Sequence, residues 1–375
     1  MLSEINLRDL QVGVGQTLGA IRLIPLLRDA PVPGLRLATQ ALGAWGASLK
    51  DDKDGAAKQA YLGYLPHGMV VRFGDEDQPE AMYGGQLLAK QEKLRGVPLV
   101  RRMHRRLDKD TLRLLPLDLA MEGFLGLCFS GPDVAWRAYS EQAIRVGLGC
   151  RSERVYSADE VDLLDEAVRT FEIQHGQVGV LLFVSEGLAA AFVTPNADDY
   201  RRLHASLLND FFGDVVVHYA RLPPFQLEVP GSERPVADLD QLALRVGEVR
   251  HAWQVYGRAQ ADGLLDVPLF QERVRKMHGF ELRRFRTALL RGEENHIGEA
   301  IVDPAGRLAY LKTFRLSTAQ CRRARLLLAL QAQSWNLEAT ARAEGISMAE
   351  LVARFERSGF GYLLKDEVRR AARRR

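Results

Sequence analysis

Chemistry can first be read in the last forty-one residues of the chain, from "WNLEATARAEGISMAELVARFERSGF" (335–360) to the terminal "RRAARRR". Ser347 and Glu350 stand in the S-x-x-E spacing of a capping box, which starts a helix by satisfying backbone donors near its N-terminus. Such a start aims free amides outward, and amides with nearby guanidinium groups are the donors that hold phosphate oxygens. Candidate phosphate contacts are therefore Ser347, Met348 and Arg354 on the second helix, and Arg369, Arg370, Arg373, Arg374 and Arg375 at the end of the chain. From Ser317 onward there are twelve Lys/Arg against six Asp/Glu, a net of +6, while the preceding 316 residues hold 39 against 42, a net of −3. The overall charge of +3 hides that asymmetry. A local basic excess is the footprint of a polyanion, although a charge run is also how a solvated chain end looks.

The elements that must position these groups are legible. Leu337–Ala343 has helix-forming composition, Gly345 sits where a helix stop wants positive φ, and Ile346 follows as an apolar anchor. Leu351, Phe355 and Phe360 supply the inward positions of a second helix that ends near Gly359, and "TAQCRRARLLLALQAQSW" supplies a covering helix through Leu326, Leu327 and Leu330. This stretch resembles the C-terminal DNA-binding module of the Fis family, with Asn336, Ala341, Gly345, Ile346, Leu351 and Gly359 on its pattern. The departure is at the reading surface, where Met348 and Glu350 stand in place of the family's Arg and Thr or Ser. Met cannot make the bidentate contact that Arg makes to guanine, and a carboxylate repels phosphate. The expectation is a unit that grips the backbone without reading bases.

The remaining 316 residues read as an α+β body rich in antiparallel strands, so the expected organisation is a body over 1–316 and a small all-α helix-turn-helix module over 317–375. Strand patterns occur at 18–27, 67–74, 83–91 and 111–120, and the apolar run "VGVLLFVSEGLAAAFV" (178–193) reads as two buried strands around a tight turn. Helices are expected over 132–147, over 157–175 with a capping box at Ser157 and Glu160, from Asn196 to Phe212, and from about Val236 to Ala261. The clearest linker is "RLPPFQLEVPGSERP" (221–235), and "IGEAIVDPAGRLAYLKTFRL" (297–316) closes the body as a hairpin through a "DPAG" turn.

In their order, "VGQTLGAIRLIPLL", "YGGQLLAKQEK", "LRLLPLDLAMEGF", "QVGVLLFVSEGLAAAFVTPNADDYRRLHASLL" and "AIVDPAGRLAYLKTF" resemble a bacterial and archaeal domain named for its association with ADP-ribosylglycohydrolase and rhodanese-phosphatase proteins. The resemblance spans about residues 10–316 and implies a cytoplasmic protein near NAD-derived or ADP-ribose chemistry. It maps a Gly–Leu–Lys–Gln segment onto Gly85, Leu88, Lys90 and Gln91, and a Glu-containing segment onto Met121, Glu122 and Gly123. Lys90 and Gln91 with Glu122 would then form a ligand site, an ammonium for a phosphate and a carboxylate for ribose hydroxyls; the bland counterpart is an ion pair between neighbouring strands. Gln86 and Tyr310 depart from the family's acid and histidine.

Other chemistries have no foothold in the sequence. No His pattern has metal-ligand spacing, no G-x-S-x-G elbow occurs, and the glycines of "GVGQTLG" lack the Lys-Ser/Thr of a phosphate loop, so neither metal nor cofactor is expected. "RRMHRR" (101–106) is followed by Asp108 and Asp110 and reads equally as a hairpin end. Three dispersed cysteines, Cys128, Cys150 and Cys321, suit a reducing compartment. No basic region with an apolar run opens the chain, and no apolar stretch is long enough to span a bilayer, so the expected location is the cytoplasm and no membrane partner is expected. The favoured reading is a regulator, an α+β sensor or scaffold fused to a Fis-like module. The alternatives are an enzyme or binder in NAD- or ADP-ribose-linked nucleotide chemistry, and a non-enzymatic adaptor whose helix-turn-helix has become a docking surface. The partners considered are DNA, a small nucleotide-like ligand and a second copy of the chain; the sequence decides neither for nor against catalysis by the body.

Overall fold

The computed structural model describes residue 7, residues 9–37, the strand segments 70–73, 80–82, 111–113 and 155–157, and residues 162–373 with short breaks at 209–211, 230, 232, 264–266, 278 and 362–363. Lys90, Gln91, Glu122, Arg374, Arg375, the "RRMHRR" run and the helix expected over 132–147 lie outside the described residues.

The strands, in chain order, are β1 (Gln11–Val12), β2 (Gln16–Leu18), β3 (Ile21–Leu27), β4 (Leu35–Leu37), β5 (Val70–Phe73), β6 (Glu80–Met82), β7 (Thr111–Arg113), β8 (Val155–Ser157), β9 (Gln177–Val184), β10 (Gly187–Val193), β11 (Phe270–Met277), β12 (Phe280–Arg286), β13 (His296–Val302) and β14 (Leu308–Arg315). The helices are α1 (Asp162–Thr170), α2 (Ala197–Ser206), α3 (Gly213–Tyr219), α4 (Leu239–Gly263), α5 (Thr318–Ala332), α6 (Leu337–Ala343), α7 (Met348–Arg357) and α8 (Asp366–Arg373). The main sheet runs β1-β3-β9-β10-β14-β13-β12-β11 with β2 added on β3, and every pairing in it is antiparallel. The smaller ladders β4-β5-β6 and β7-β8 stand apart from it.

The central strands β9 and β10 are apolar on both faces because both faces are covered, which is why their sequence runs continuously apolar. One face, with Leu23, Val180, Leu182, Phe192, Ile301 and Phe314, packs against Ala167 of α1, Tyr200 and Leu203 of α2 and Val216 of α3. The other, with Ile24, Leu181, Phe183, Ala191 and Leu311, meets Ala261 at the end of α4. Gly298 has no room for a side chain, since a Cβ there would strike the Lys312 carbonyl and the Phe285 ring. Ser185 takes the tight β9–β10 turn at φ 55°.

Two local expectations are corrected. Ser157 does not cap a helix: it ends β8 opposite Thr111, and the helix begins at Asp162. The terminal arginines are not all a loose tail, because Asp366–Arg373 forms α8, with Val368 and Ala372 packed against the core. The apolar cluster of the helix-covered face continues from Phe314 and Leu316 into Ala324, Leu327, Leu351 and Phe355, so the C-terminal helices share a core with the sheet.

Candidate functional site

The C-terminal helices form with the Gly345 turn, Ser347 start and Gly359 stop that the sequence proposes, and with two further caps that it did not reveal. Ser317 and Gln320 form a full capping box that opens α5, and the Asn336 side chain accepts from Ala339 N at 2.9 Å to open α6. Gly345 turns the chain at φ 64°, and Ser347 accepts from Glu350 N at 3.1 Å to open α7. Gly359 ends the second helix at φ 80°.

The exposed chemistry of this unit differs from its sequence outline. The Glu350 carboxylate holds Arg354 at 3.2 Å and Arg357 at 2.9 Å, and Arg354 also lies 3.6 Å from Glu344. Hydrogen bonds from Arg354 first and then Arg357 keep the Glu350 carboxyl below its usual pKa. Arg369 lies between Glu356 at 3.3 Å and Asp366 at 3.6 Å. Two of the predicted phosphate contacts are therefore already paired with carboxylates. Met348 packs against the core and Val352 is buried, so these two residues do not make the exposed apolar patch that an adaptor would need. Ser347 and Arg370 are exposed, as are Arg322, Arg325 and Arg342, for which no carboxylate partner occurs among the described residues; Arg373 closes α8.

In the body the unexpected chemistry is a row of charges across the sheet. Arg284 on β12 pairs in register with Glu299 on β13, which pairs with Lys312 on β14. Alternation along the strands puts all three on the face of Phe280, Ile297, Ile301 and Phe314. Glu299 is 1% exposed and Lys312 0%. Burial pushes the Glu299 carboxyl up to about 7, against the pull of Arg284 and Lys312, and burial holds the Lys312 amine well below its ordinary value, against the pull of Glu299. The Lys312 ammonium also lies 5.5 Å from the Phe314 ring centre. Strongly shifted pairs of this kind concentrate at functional sites and also occur as structural ion pairs; Glu299 and Lys312 are sealed from solvent and Arg284 is half-buried, which suits a structural pair.

The opposite face carries a second buried cation. Arg22 on β3 is 1% exposed, its Nη2 donates to Gln260 Oε1, and its Cζ lies 4.7–5.5 Å from the ring centres of Phe183, Phe225, Trp253 and Tyr256. Neither Arg22 nor the Glu299–Lys312 row was visible as a site in the sequence. Their only signal is a charge inside an otherwise apolar strand, in "AIRLIPLL" and "LAYLKTF". Among the described residues no group of three or more His, Cys, Asp or Glu could hold a metal, and no helix is long and apolar enough to cross a membrane.

A family model, ARPP-2, matches residues 5–278. The chain belongs to the ARPP-2 family. The ARPP-2 match takes in Arg22, the β9–β10 hairpin, α4 and the span of Lys90, Gln91 and Glu122, and it ends short of residue 316, the end of the sequence resemblance. Strands β12–β14, with the Glu299–Lys312 row, and helices α5–α8 lie beyond it, so membership gives no support to the Fis-like resemblance. No curated protein and no solved structure matches the chain.

Proposed function

We propose that this ARPP-2 protein is a cytoplasmic regulatory protein whose α+β body carries a helix-turn-helix unit that holds duplex DNA by its phosphates. The observation that supports it most is the capped α6–α7 pair turning at Gly345 within a stretch of net charge +6. Arg322, Arg325, Arg342 and Arg370, with the basic chain end, supply the cations, and the amides at the start of α7 supply further donors. Base reading is not part of the proposal, because Met348 serves packing and Arg354 is held by two carboxylates. Passing a random-sequence duplex pool over the immobilised protein at low salt tests it. DNA should be retained with no sequence enriched; an enriched motif would show that side chains do read bases, and no retention would end the DNA reading.

In a second reading the body takes a small anionic ligand. Family membership in ARPP-2 and the incompletely hydrogen-bonded guanidinium of Arg22 favour it. Its test is calorimetric titration of the protein with small anions, where heats no larger than dilution would end it.

A further inference from the structure

Arg22 carries a permanent charge into a nearly sealed position on β3, and it does so with an incomplete set of partners. Its Nη2 donates to Gln260, while Nε and Nη1 have no hydrogen-bond partner among the described residues. Burial lowers its pKa, opposed first by a hydrogen bond with the Tyr256 side chain and then by the charge of Glu186. A guanidinium left this way offers a planar fork of donors, the geometry that suits a carboxylate or phosphate.

The rings around it are not equivalent. Phe183 belongs to the sheet, and Trp253 and Tyr256 are fixed on α4, which Gly257 lets approach Ile24 and Val12 closely. Phe225 is different. It lies in 223–229, a segment outside any helix or strand that makes no hydrogen bond among the described residues. The ring stacks on Tyr256 at 5.4 Å with an interplanar angle of 13°, stands edge-on to Trp253 at 6.0 Å, and covers the guanidinium at 5.2 Å. Phe225, Trp253 and Tyr256 are each half-buried, so the cluster reaches the surface at this point.

We propose that the Phe225 ring occupies the ring subsite of a binding site for a small aromatic anion, a planar ring bearing a phosphate or carboxylate. The incoming ring takes the place of Phe225 on Tyr256, and the anionic group takes the Nε and Nη1 donors of Arg22. Displacement is favourable in principle because the ligand replaces the stacking that Phe225 gives up and adds charge-assisted hydrogen bonds that a phenyl ring cannot make. The segment 223–229 then acts as a strap that closes the empty site. This proposal rests on the second reading above, that the body takes a small anionic ligand, and is independent of any contact with DNA.

Calorimetric titration with adenosine monophosphate as probe, alongside adenosine and inorganic phosphate as half-ligands, tests it. The nucleotide should bind more tightly than either half. Phe225→Ala removes the competing ring from a segment without hydrogen bonds and should tighten nucleotide binding at least fivefold. Arg22→Lys keeps a cation among the rings but loses the fork, and should weaken binding at least tenfold in the Phe225→Ala background. Nucleotide binding that ignores Arg22→Lys, or that weakens or stays unchanged in Phe225→Ala, overturns this site and leaves the ligand reading standing. No nucleotide binding by either the native protein or Phe225→Ala overturns this site, and if inorganic phosphate and other small anions also give no heat beyond dilution the ligand reading falls with it. Should Arg22→Lys prevent folding, the Phe225→Ala comparison decides alone.

Discussion

Replacing Lys312 with Met strips the buried Glu299 carboxylate of the cation directly opposite it in the β13–β14 ladder. The Cβ atoms of residues directly opposite in an antiparallel pair stand about 5 Å apart, and taking a charge separation of about the same size, two unit charges at an effective dielectric of about 20 attract by about 3 kcal/mol. Lys312→Met should therefore cost about 3 kcal/mol in denaturant unfolding, within the range for breaking one side of a buried pair. Glu299→Leu should cost at least as much, because it leaves both Lys312 and Arg284 without the carboxylate between them. The double variant Glu299→Leu/Lys312→Met should recover most of the loss, since two apolar side chains remove both desolvation penalties together. The pH dependence has a definite sign. Burial raises the folded-state pKa of Glu299 to about 7, so its favourable contribution is complete below the unfolded value and is lost as pH rises through 7. Removing Lys312 pushes that pKa higher still, so the cost of Lys312→Met should be small near pH ~5.5, where Glu299 holds its proton in either protein, should grow as pH rises through 7, and should fall again once the Lys312 amine, its own pKa lowered by burial, gives up its proton. Single variants that each cost less than about 1 kcal/mol, or a double variant whose loss equals the sum of the singles, would refute a coupled buried pair.

Three further outcomes are expected. Glu350→Gln keeps the backbone amide that Ser347 caps but releases Arg357 and leaves Arg354 only Glu344, so duplex DNA should bind more tightly and with a steeper salt dependence; unchanged affinity in a fluorescence-anisotropy titration would place those arginines away from the DNA. Asn336→Ala removes the cap of α6 and should lower stability by about 1 kcal/mol, read as a shift in the midpoint of chemical unfolding without a change in slope. Burial holds the His204 imidazole below its ordinary pKa, while its Nε2 donates to the Phe171 carbonyl at 2.6 Å and its Nδ1 accepts from the Tyr200 hydroxyl at 3.0 Å. Its contribution is present above the unfolded pKa and is lost as pH falls through the folded one, so thermal melts should show a loss of stability on acidification that is smaller in His204→Gln.

The sequence was most legible where one local signal decides. Gly345 and Gly359 set helix ends through their backbone and Ser347 through its side chain, and each does so in the structure; the Asn336 cap of α6 was not read from the sequence. The β9–β10 and β13–β14 hairpins were equally clear, because long apolar runs broken by "SEG" and "DPAG" leave few other folds. The β11–β12 hairpin was not foreseen. "FQERVRKM" and "FELRRFR" carry charges at most positions, and only their alternation, with Phe280 and Leu282 inward, reveals strands. α8 was missed for a similar reason: arginines at 369, 370 and 373 dominate the composition, while Val368 and Ala372 do the packing. The charged sites were hidden for a different reason. Lys312 and Arg22 are single charges within apolar strands, and nothing local tells a buried cation from one at a strand edge; the partners that define them, Glu299 and the rings of Phe225, Trp253 and Tyr256, come from distant parts of the chain.

The central claim is that the helical unit holds DNA through phosphates alone, and the salt dependence of binding tests it most directly. The intact protein should bind random duplex with log K falling linearly against log salt, at about 0.9 per phosphate neutralised. Replacing Arg322, Arg325, Arg342 and Arg370 with Gln should flatten that slope by about three units if most of the four make contact. No binding at low salt, or a slope that the four replacements leave unchanged, would contradict it.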